Sequence, residues 1–279
     1  RFTKEVAAPA FVIPGQGAQW LGMARTLLED EPVFRAALER CDLACRPYAD
    51  WSIVDLVAHP DSNGAEALIE RIDVVQPTLV AELLASVGVR PGALIGHSMG
   101  ETAAAYLAGV LDLETTMRVI CRRSSLMNRV RGEGAMALVE LSLPEASRRI
   151  ESHARLLGVA AHNGPKSCVL SGEPKALATV LQELEADGVF CRLIKVDVAS
   201  HSPQMEPLAA QLQTGLADIE PAAAKVPLYS TTLGRHVSGP ELGATYWGAN
   251  LTSLVLFSVA FVALGRVFIL IFVDLGLFP

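Results

Sequence analysis

Gly96-His97-Ser98-Met99-Gly100 stands between a short apolar run at 92–95 and an alanine-rich stretch at 102–108. This is the feature that most restricts the fold: a strand, a turn with a glycine on either side of a serine, and a helix. The pattern is G-x-S-x-G, the nucleophile elbow. A serine at such a hairpin is forced into a strained backbone, and the flanking glycines let strand and helix approach closely. Its hydroxyl then stands above a sheet, at a helix N-terminus whose free N–H groups favour developing negative charge. The bare pattern also occurs in ordinary β-turn-α connections, so its setting carries the weight.

The rest of the chain supplies a frame for that turn. Residues 10–13 (AFVI) read as a strand broken by Pro14-Gly15-Gln16-Gly17, and helical patterns follow at 21–28, 32–45 and 52–57. A further helix is expected over 115–130. Strand–helix alternation of this kind predicts an α/β fold with a parallel sheet. From 131 the order changes to strand 135–141, helix 143–156, strands 158–162 and 167–171, helix 174–187 and strand 190–196. That is β-α-β-β-α-β, the ferredoxin-like arrangement. The expected organisation is a large α/β-hydrolase-like body, 1–130 with 198–279, carrying an inserted small ferredoxin-like subdomain at 131–197. A length of 279 residues suits one large domain or two unequal parts.

Composition excludes several functions. With 51% apolar and 19% charged residues the chain is not disordered. Lys and Arg number 23 against 30 Asp and Glu, a net charge of −7, which argues against nucleic acid as a partner. Five cysteines (Cys41, Cys45, Cys121, Cys168, Cys191) form an odd count without a CxxC pair. Neither a disulfide framework nor a metal site is expected, and a reducing, cytoplasmic setting fits. The chain opens at Arg1 without a signal-peptide layout and reads as a piece of a longer polypeptide. Near the other end, the apolar run 254–264 stops at Gly265-Arg266, short of the about 20 residues a membrane span requires. A buried helix followed by a buried strand at 267–273 is expected there, and no membrane partner.

A serine nucleophile needs a base, normally histidine. Of six histidines, His97 adjoins the serine, but neighbours on a sharp turn point apart. His201 lies in Val198-Ala199-Ser200-His201-Ser202-Pro203, where the small subdomain returns to the body. It is the candidate base; the alternative is a loop histidine without catalytic duty. Arg123 shares a helix face with Val119, Leu126 and Val130, whereas Arg118, Arg122, Ser125 and Arg129 share the polar face. An arginine on an apolar stripe is either a structural ion pair or a receptor for a substrate carboxylate, held by two parallel N–H···O bonds.

Gly15-Gln16-Gly17-Ala18-Gln19, Gly96 to Glu101, Arg123, Asn163-Gly164-Pro165 and Ala199-Ser200-His201-Ser202 occur in this order. In that order the chain resembles the acyltransferase domains of modular type I polyketide synthases, kin to malonyl-CoA:acyl-carrier-protein transacylases. The resemblance implies Ser98 as nucleophile and His201 as base. It implies the backbone N–H groups of Gln16 and Met99 as oxyanion hole, and Arg123 as clamp for the carboxylate of the extender unit. It further implies that Asn250 orients His201 through its backbone carbonyl. No bound cofactor is implied; the substrates are an acyl-CoA and the phosphopantetheine thiol of an acyl carrier protein, and a ketosynthase domain would adjoin in the same polypeptide.

The resemblance also bears on which extender unit is used. Ser200 stands where malonyl-selective relatives carry a bulky Phe, and Val198, Ala199 and Ser200 align with the YAS of the methylmalonyl class. Arg71-Ile72-Asp73-Val74-Val75-Gln76 resembles the upstream signature of that class, so methylmalonyl is favoured over malonyl. Val198 in place of Tyr and Met99 in place of Gln depart from it, as do Thr102 and Ala249 from the family's usual Ile and Arg. The end of the chain lacks the family's Ser-Pro-His. Two alternatives differ in kind: a serine esterase of α/β-hydrolase type, and a degenerate domain that only docks a carrier protein.

Overall fold

A computed structural model of the chain describes residues 8–15, 24–59 and 90–265, with the backbone of 273–274. The first part of the chain forms β1 (Ala10–Ile13), α1 (Arg25–Asp30), α2 (Pro32–Cys45), α3 (Ile53–Ala58), β2 (Ala93–Gly96), α4 (Gly100–Leu107) and α5 (Leu113–Asn128). Next come β3 (Ala135–Val139), α6 (Leu143–Arg149), β4 (Leu157–Gly164), β5 (Ser167–Gly172), α7 (Pro174–Ala186) and β6 (Cys191–Leu193). The last part forms α8 (Glu206–Gly215), β7 (Leu228–Ser230), β8 (Arg235–Val237), α9 (Ala244–Thr252), α10 (Phe257–Gly265) and β9 (Val273–Asp274).

The first sheet has the order β8-β7-β2-β1-β9; only the β7–β8 pair is antiparallel. Its central strands are apolar at every position because both faces are covered. Phe11, Ile13 and Leu94 enter the main core with Ala103, Ala104 and Trp247. Ala10, Ala93 and Ile95 meet Ala260 and Leu264 of α10 on the other face. The helix expected in the run 254–264 covers the sheet through Ala260 and Leu264, but it is not buried as expected, because Val259 and Val262 on its other side are exposed. Of the strand expected at 267–273, residues 267–272 lie outside the described residues; Val273 pairs with Phe11. Among the described residues, no helix is long and apolar enough to cross a membrane.

The second sheet has the order β4-β5-β3-β6, with every neighbour antiparallel. Alternation along β3 sends Ala137 and Val139 against Leu177, Val180 and Leu184 of α7, and Met136 and Leu138 towards Val255 and Phe257 of the first body. Helix α7 begins where Glu173 accepts the Ala176 N–H (2.7 Å) and Pro174 opens the first turn. Helix α6 ends at Arg149 rather than at 156, and a 3-10 turn, Glu151–His153, follows. The shortening has a cause: Leu157 must already pair with Gly172 in the sheet. Strand β6 likewise stops at Leu193; the Ile194 N–H still donates to the Met136 carbonyl of β3 at 2.9 Å, and beyond it the chain turns so that Val196 lines a cavity. Among the described residues, one isolated parallel bridge links the two bodies, where the Val255 N–H donates to the Ala160 carbonyl and the His162 N–H to the Val255 carbonyl, both at 2.9 Å.

Candidate active site

Ser98 occupies the turn from β2 into α4 with φ of 52°, in the left-handed region. A side chain is held there only at a cost, and the surroundings must enforce it. The glycines do so by letting backbone touch backbone. A Cβ on Gly96 would lie 2.3 Å from the Glu101 nitrogen, and one on Gly100 would lie 2.5 Å from the carbonyl oxygens of Ile13 and Pro14. The end of β1 thus packs directly on the first turn of α4, and Ser98 projects from the seam.

The Ser98 Oγ lies 2.6 Å from His201 Nε2, with both residues buried. His201 Nδ1 is 2.8 Å from the Ser253 carbonyl. A carbonyl can only accept, so Nδ1 carries the proton and Nε2 presents its lone pair to the serine hydroxyl, which donates. Burial lowers the His201 pKa to about 3, and the nearby Arg123 charge pushes the same way against the opposing bond to Ser253. His201 also has a positive φ, 59°, so the loop that delivers it is as constrained as the elbow.

Arg123 reaches the site from α5, whose first turn is capped by Asp112 accepting the Thr115 N–H at 2.7 Å. Its side chain is only 2% exposed, on the face that the helical spacing assigned to it, whereas Arg118 bonds Asp218 at the surface. Ser98, Met99, Arg123 and His201 share one cavity of about 240 Å³. Its other wall is mostly apolar, with Met136, Ala160, Ala161 and Val169 from the second sheet and Val196 from the segment after β6, beside the polar Asn163 and Asp197. Val198 and Ser200 line it as well.

Two expectations need correction and one falls outside what is described. Ala199 is not among the residues lining the cavity; it is buried against the segment before β3, so close that a Cβ on Gly134 would lie 2.1 Å from its nitrogen. The carbonyl on His201 belongs to Ser253, not to Asn250. Asn250 lies three residues earlier, in the last turn of α9, and its side chain bonds the Ser98 carbonyl and Glu101. Gln16 and the segment from Arg71 to Gln76 lie outside the described residues. Among the described residues, no group of His, Cys, Asp and Glu side chains is placed to hold a metal ion.

Residues 10–278 match the family model of the acyl transferase domain. The chain belongs to that family. Polyketide synthase GfsB of Streptomyces halstedii is 44% identical over 278 residues, which are 97% of this chain and 5% of that protein. Erythronolide synthase EryA3 of Saccharopolyspora erythraea is 44% identical over 258 residues, 90% of this chain and 8% of that protein. The acyltransferase domain thus spans less than a tenth of either relative. Among solved structures, the acyltransferase domain from module 8 of the salinomycin polyketide synthase matches with a TM-score of 0.86 at 41% identity, over 92% of this chain and 62% of that one. The malonyl CoA-acyl carrier protein transacylase of Coxiella burnetii matches with a TM-score of 0.86 at 25% identity, over 96% and 87%.

Four further residues of this acyltransferase domain bear on the site. His97 lines the same cavity as Ser98, and its Nε2 donates to Asn163 Oδ1 at 2.9 Å, a second lining residue. Burial holds the His97 ring below the usual histidine range, against the opposing effect of that bond. Asn163 was visible only as part of a motif. Ser253 acts through a backbone carbonyl, for which a sequence carries no signal. Glu101 is a buried carboxylate behind the elbow, 2% exposed, and accepts from Tyr246 Oη at 2.6 Å and Thr232 Oγ1 at 2.8 Å.

Proposed function

We propose that this acyltransferase loads a dicarboxylic extender unit, methylmalonyl in preference to malonyl, from CoA onto the phosphopantetheine thiol of an acyl carrier protein. The observation that carries the reading is the 2.6 Å approach of Ser98 to His201 within a cavity that also holds the buried Arg123. In the first half-reaction Ser98 Oγ attacks the thioester carbonyl while its proton passes to His201 Nε2. The C–S bond then breaks, and CoA leaves as the thiol with that proton. In the second half the carrier thiol gives its proton to His201 and attacks the acyl-serine ester, and Ser98 regains its hydrogen. The Met99 N–H at the start of α4, with that of Gln16, stabilises the oxyanion. Arg123 pairs with the free carboxylate, a charge that an ester hydrolase for neutral substrates would not use. The apolar wall keeps water from the acyl-serine between the halves.

Ser200 beside His201 leaves room for an α-methyl branch, and one methyl is worth about 1–3 kcal/mol of discrimination. The two sheets read as an α/β-hydrolase-like body, 1–130 with 198–279, and a ferredoxin-like subdomain at 131–197. A ketosynthase neighbour in the same polypeptide and a cytoplasmic setting belong to the same reading, with no resident cofactor.

Radiolabelled methylmalonyl-CoA tests the proposal. The chain is expected to take up covalent label that Ser98→Ala abolishes; label surviving in that variant would remove the nucleophile. Arg123→Ala is expected to shift preference at least about tenfold towards plain acyl-CoA, the scale of one charge-assisted bond. Unchanged selectivity would leave the guanidinium a structural role. Competition between malonyl-, methylmalonyl- and ethylmalonyl-CoA reads the extender directly, and Ser200→Phe should move it towards malonyl.

A further inference from the structure

We propose that Asn250 is a positioning residue: its side-chain amide grips the Ser98 carbonyl and fixes the strained backbone from which the nucleophile projects. The inference rests on the reading of Ser98 as nucleophile. The Ser98 carbonyl accepts two hydrogen bonds, one from the Glu101 N–H at 3.0 Å within the turn and one from Asn250 Nδ2 at 3.1 Å. The first is local and would form in any such turn. The second comes from α9, far away in sequence, and ties the elbow to the rest of the body.

The amide is itself held in one orientation. Its Nδ2 also lies 2.8 Å from Glu101 Oε2 and 3.1 Å from Thr232 Oγ1. Glu101 in turn accepts from the Thr231 N–H, from Thr231 Oγ1 at 2.9 Å, from the Thr232 N–H at 3.0 Å and from Tyr246 Oη at 2.6 Å. All these donors are neutral, and they come from the segment after β7 and from α9. A carboxylate can only accept, so it turns the NH2 group of Asn250, not its oxygen, towards the elbow. Glu101 and Asn250 are 2% and 1% exposed, so no water competes for these bonds. Rotation of the Ser98 peptide would swing Oγ away from His201 Nε2, and displacements near 1 Å in such constellations cost on the order of 10²-fold in rate. Asn250 therefore acts through Ser98 and need not touch substrate.

Two substitutions separate positioning from mere support. Asn250→Asp keeps the side chain's size and removes both N–H donors. Thr232→Val removes a hydroxyl that bonds the same amide and the same carboxylate but not Ser98. Each is made in the full chain, the folded fraction is measured by circular dichroism, and transfer from methylmalonyl-CoA to pantetheine is followed. Asn250→Asp is expected to lose about tenfold or more in kcat per folded molecule with KM within about twofold, and to react with a fluorophosphonate correspondingly more slowly. Thr232→Val is expected to stay within about threefold, as a supporting bond only. Undiminished kcat in Asn250→Asp, or an equal loss in Thr232→Val, overturns the proposal. If Asn250→Asp does not fold, Asn250→Ser and Asn250→Ala decide: serine regains one donor and must exceed alanine about threefold in kcat, and equality overturns the proposal. Label persisting in Ser98→Ala would instead sink the reading beneath it.

Discussion

The His201 imidazole is held between the Ser98 hydroxyl at Nε2 and the Ser253 carbonyl at Nδ1, with the Arg123 charge close enough to act on it. Burial strips an imidazolium of water and the Arg123 charge opposes it further, so its pKa falls to about 3. Under the proposed function, a substrate carboxylate on Arg123 would cancel that repulsion and strengthen the base. For the free enzyme, the acylation rate at low substrate is expected to stay level from pH 8 to about 5. An imidazole with the ordinary pKa near 6.5 would by then have lost about nine-tenths or more of its base form. A pH profile of Ser98 labelling checks this, and an acid limb centred near 6.5 would contradict it. At this scale the sequence was informative wherever chemistry is tied to a side chain. Ser98, His201 and Arg123 are each unusual in their setting and could be picked out. The carbonyl that orients His201 belongs to Ser253, whereas the resemblance implies Asn250, three positions earlier; a peptide oxygen carries no side-chain signal that would correct it.

Strand β2 and helix α4 meet at closer range than side chains allow, and that contact belongs to the elements rather than to Ser98 alone. In an exposed helix, Gly→Ala would stabilise by roughly 0.5–1 kcal/mol. At Gly100 the added methyl would lie 2.5 Å from two backbone oxygens of the β1 turn, which cannot rotate away. Overpacking wins, and Gly100→Ala is expected to cost about 1–3 kcal/mol in urea unfolding and to slow Ser98 labelling as β1 and α4 are forced apart. A stability equal to or above that of the parent would show that the seam is looser than these distances. Elements were legible in the sequence where periodicity and a cap coincide: α2 spans the 32–45 foreseen, and α7 starts where Glu173 and Pro174 open it. Ends set by tertiary pairing were not. The early stop of α6 follows from the partner that Gly172 provides for Leu157, and nothing local announces it.

The two sheets meet at the Val255 bridge, and the cavity between them holds the buried His201 and the half-buried His97. Short apolar runs made β1, β2 and the strands of the second sheet foreseeable, but not β7, β8 or the junction, because three-residue strands and a one-residue bridge between distant segments carry no periodicity. Its consequence is global. His201 and His97 both have native pKa values below the unfolded value near 6.5, so between those limits the unfolded chain binds more protons. Stability therefore rises with pH in that window. The His201 contribution is fully present above about pH 6.5 and is lost as pH falls towards about 3, and His97 adds to it in the same direction, with a slope of up to about 1.4 kcal/mol per pH unit for each ring. Exposed Asp218 and Glu241, both held near about 2 by their hydrogen bonds, push in the same direction only at the acid end. Urea midpoints are thus expected to be level from pH 8 to 7 and to decline steadily from 6.5 to 4.5, before carboxylates contribute. Replacing His201 by glutamine, which cannot titrate, should remove about one proton's worth of that slope. A midpoint independent of pH over this range would mean that the folded chain solvates both rings as well as the unfolded chain does, contrary to the lowered pKa values that their burial produces.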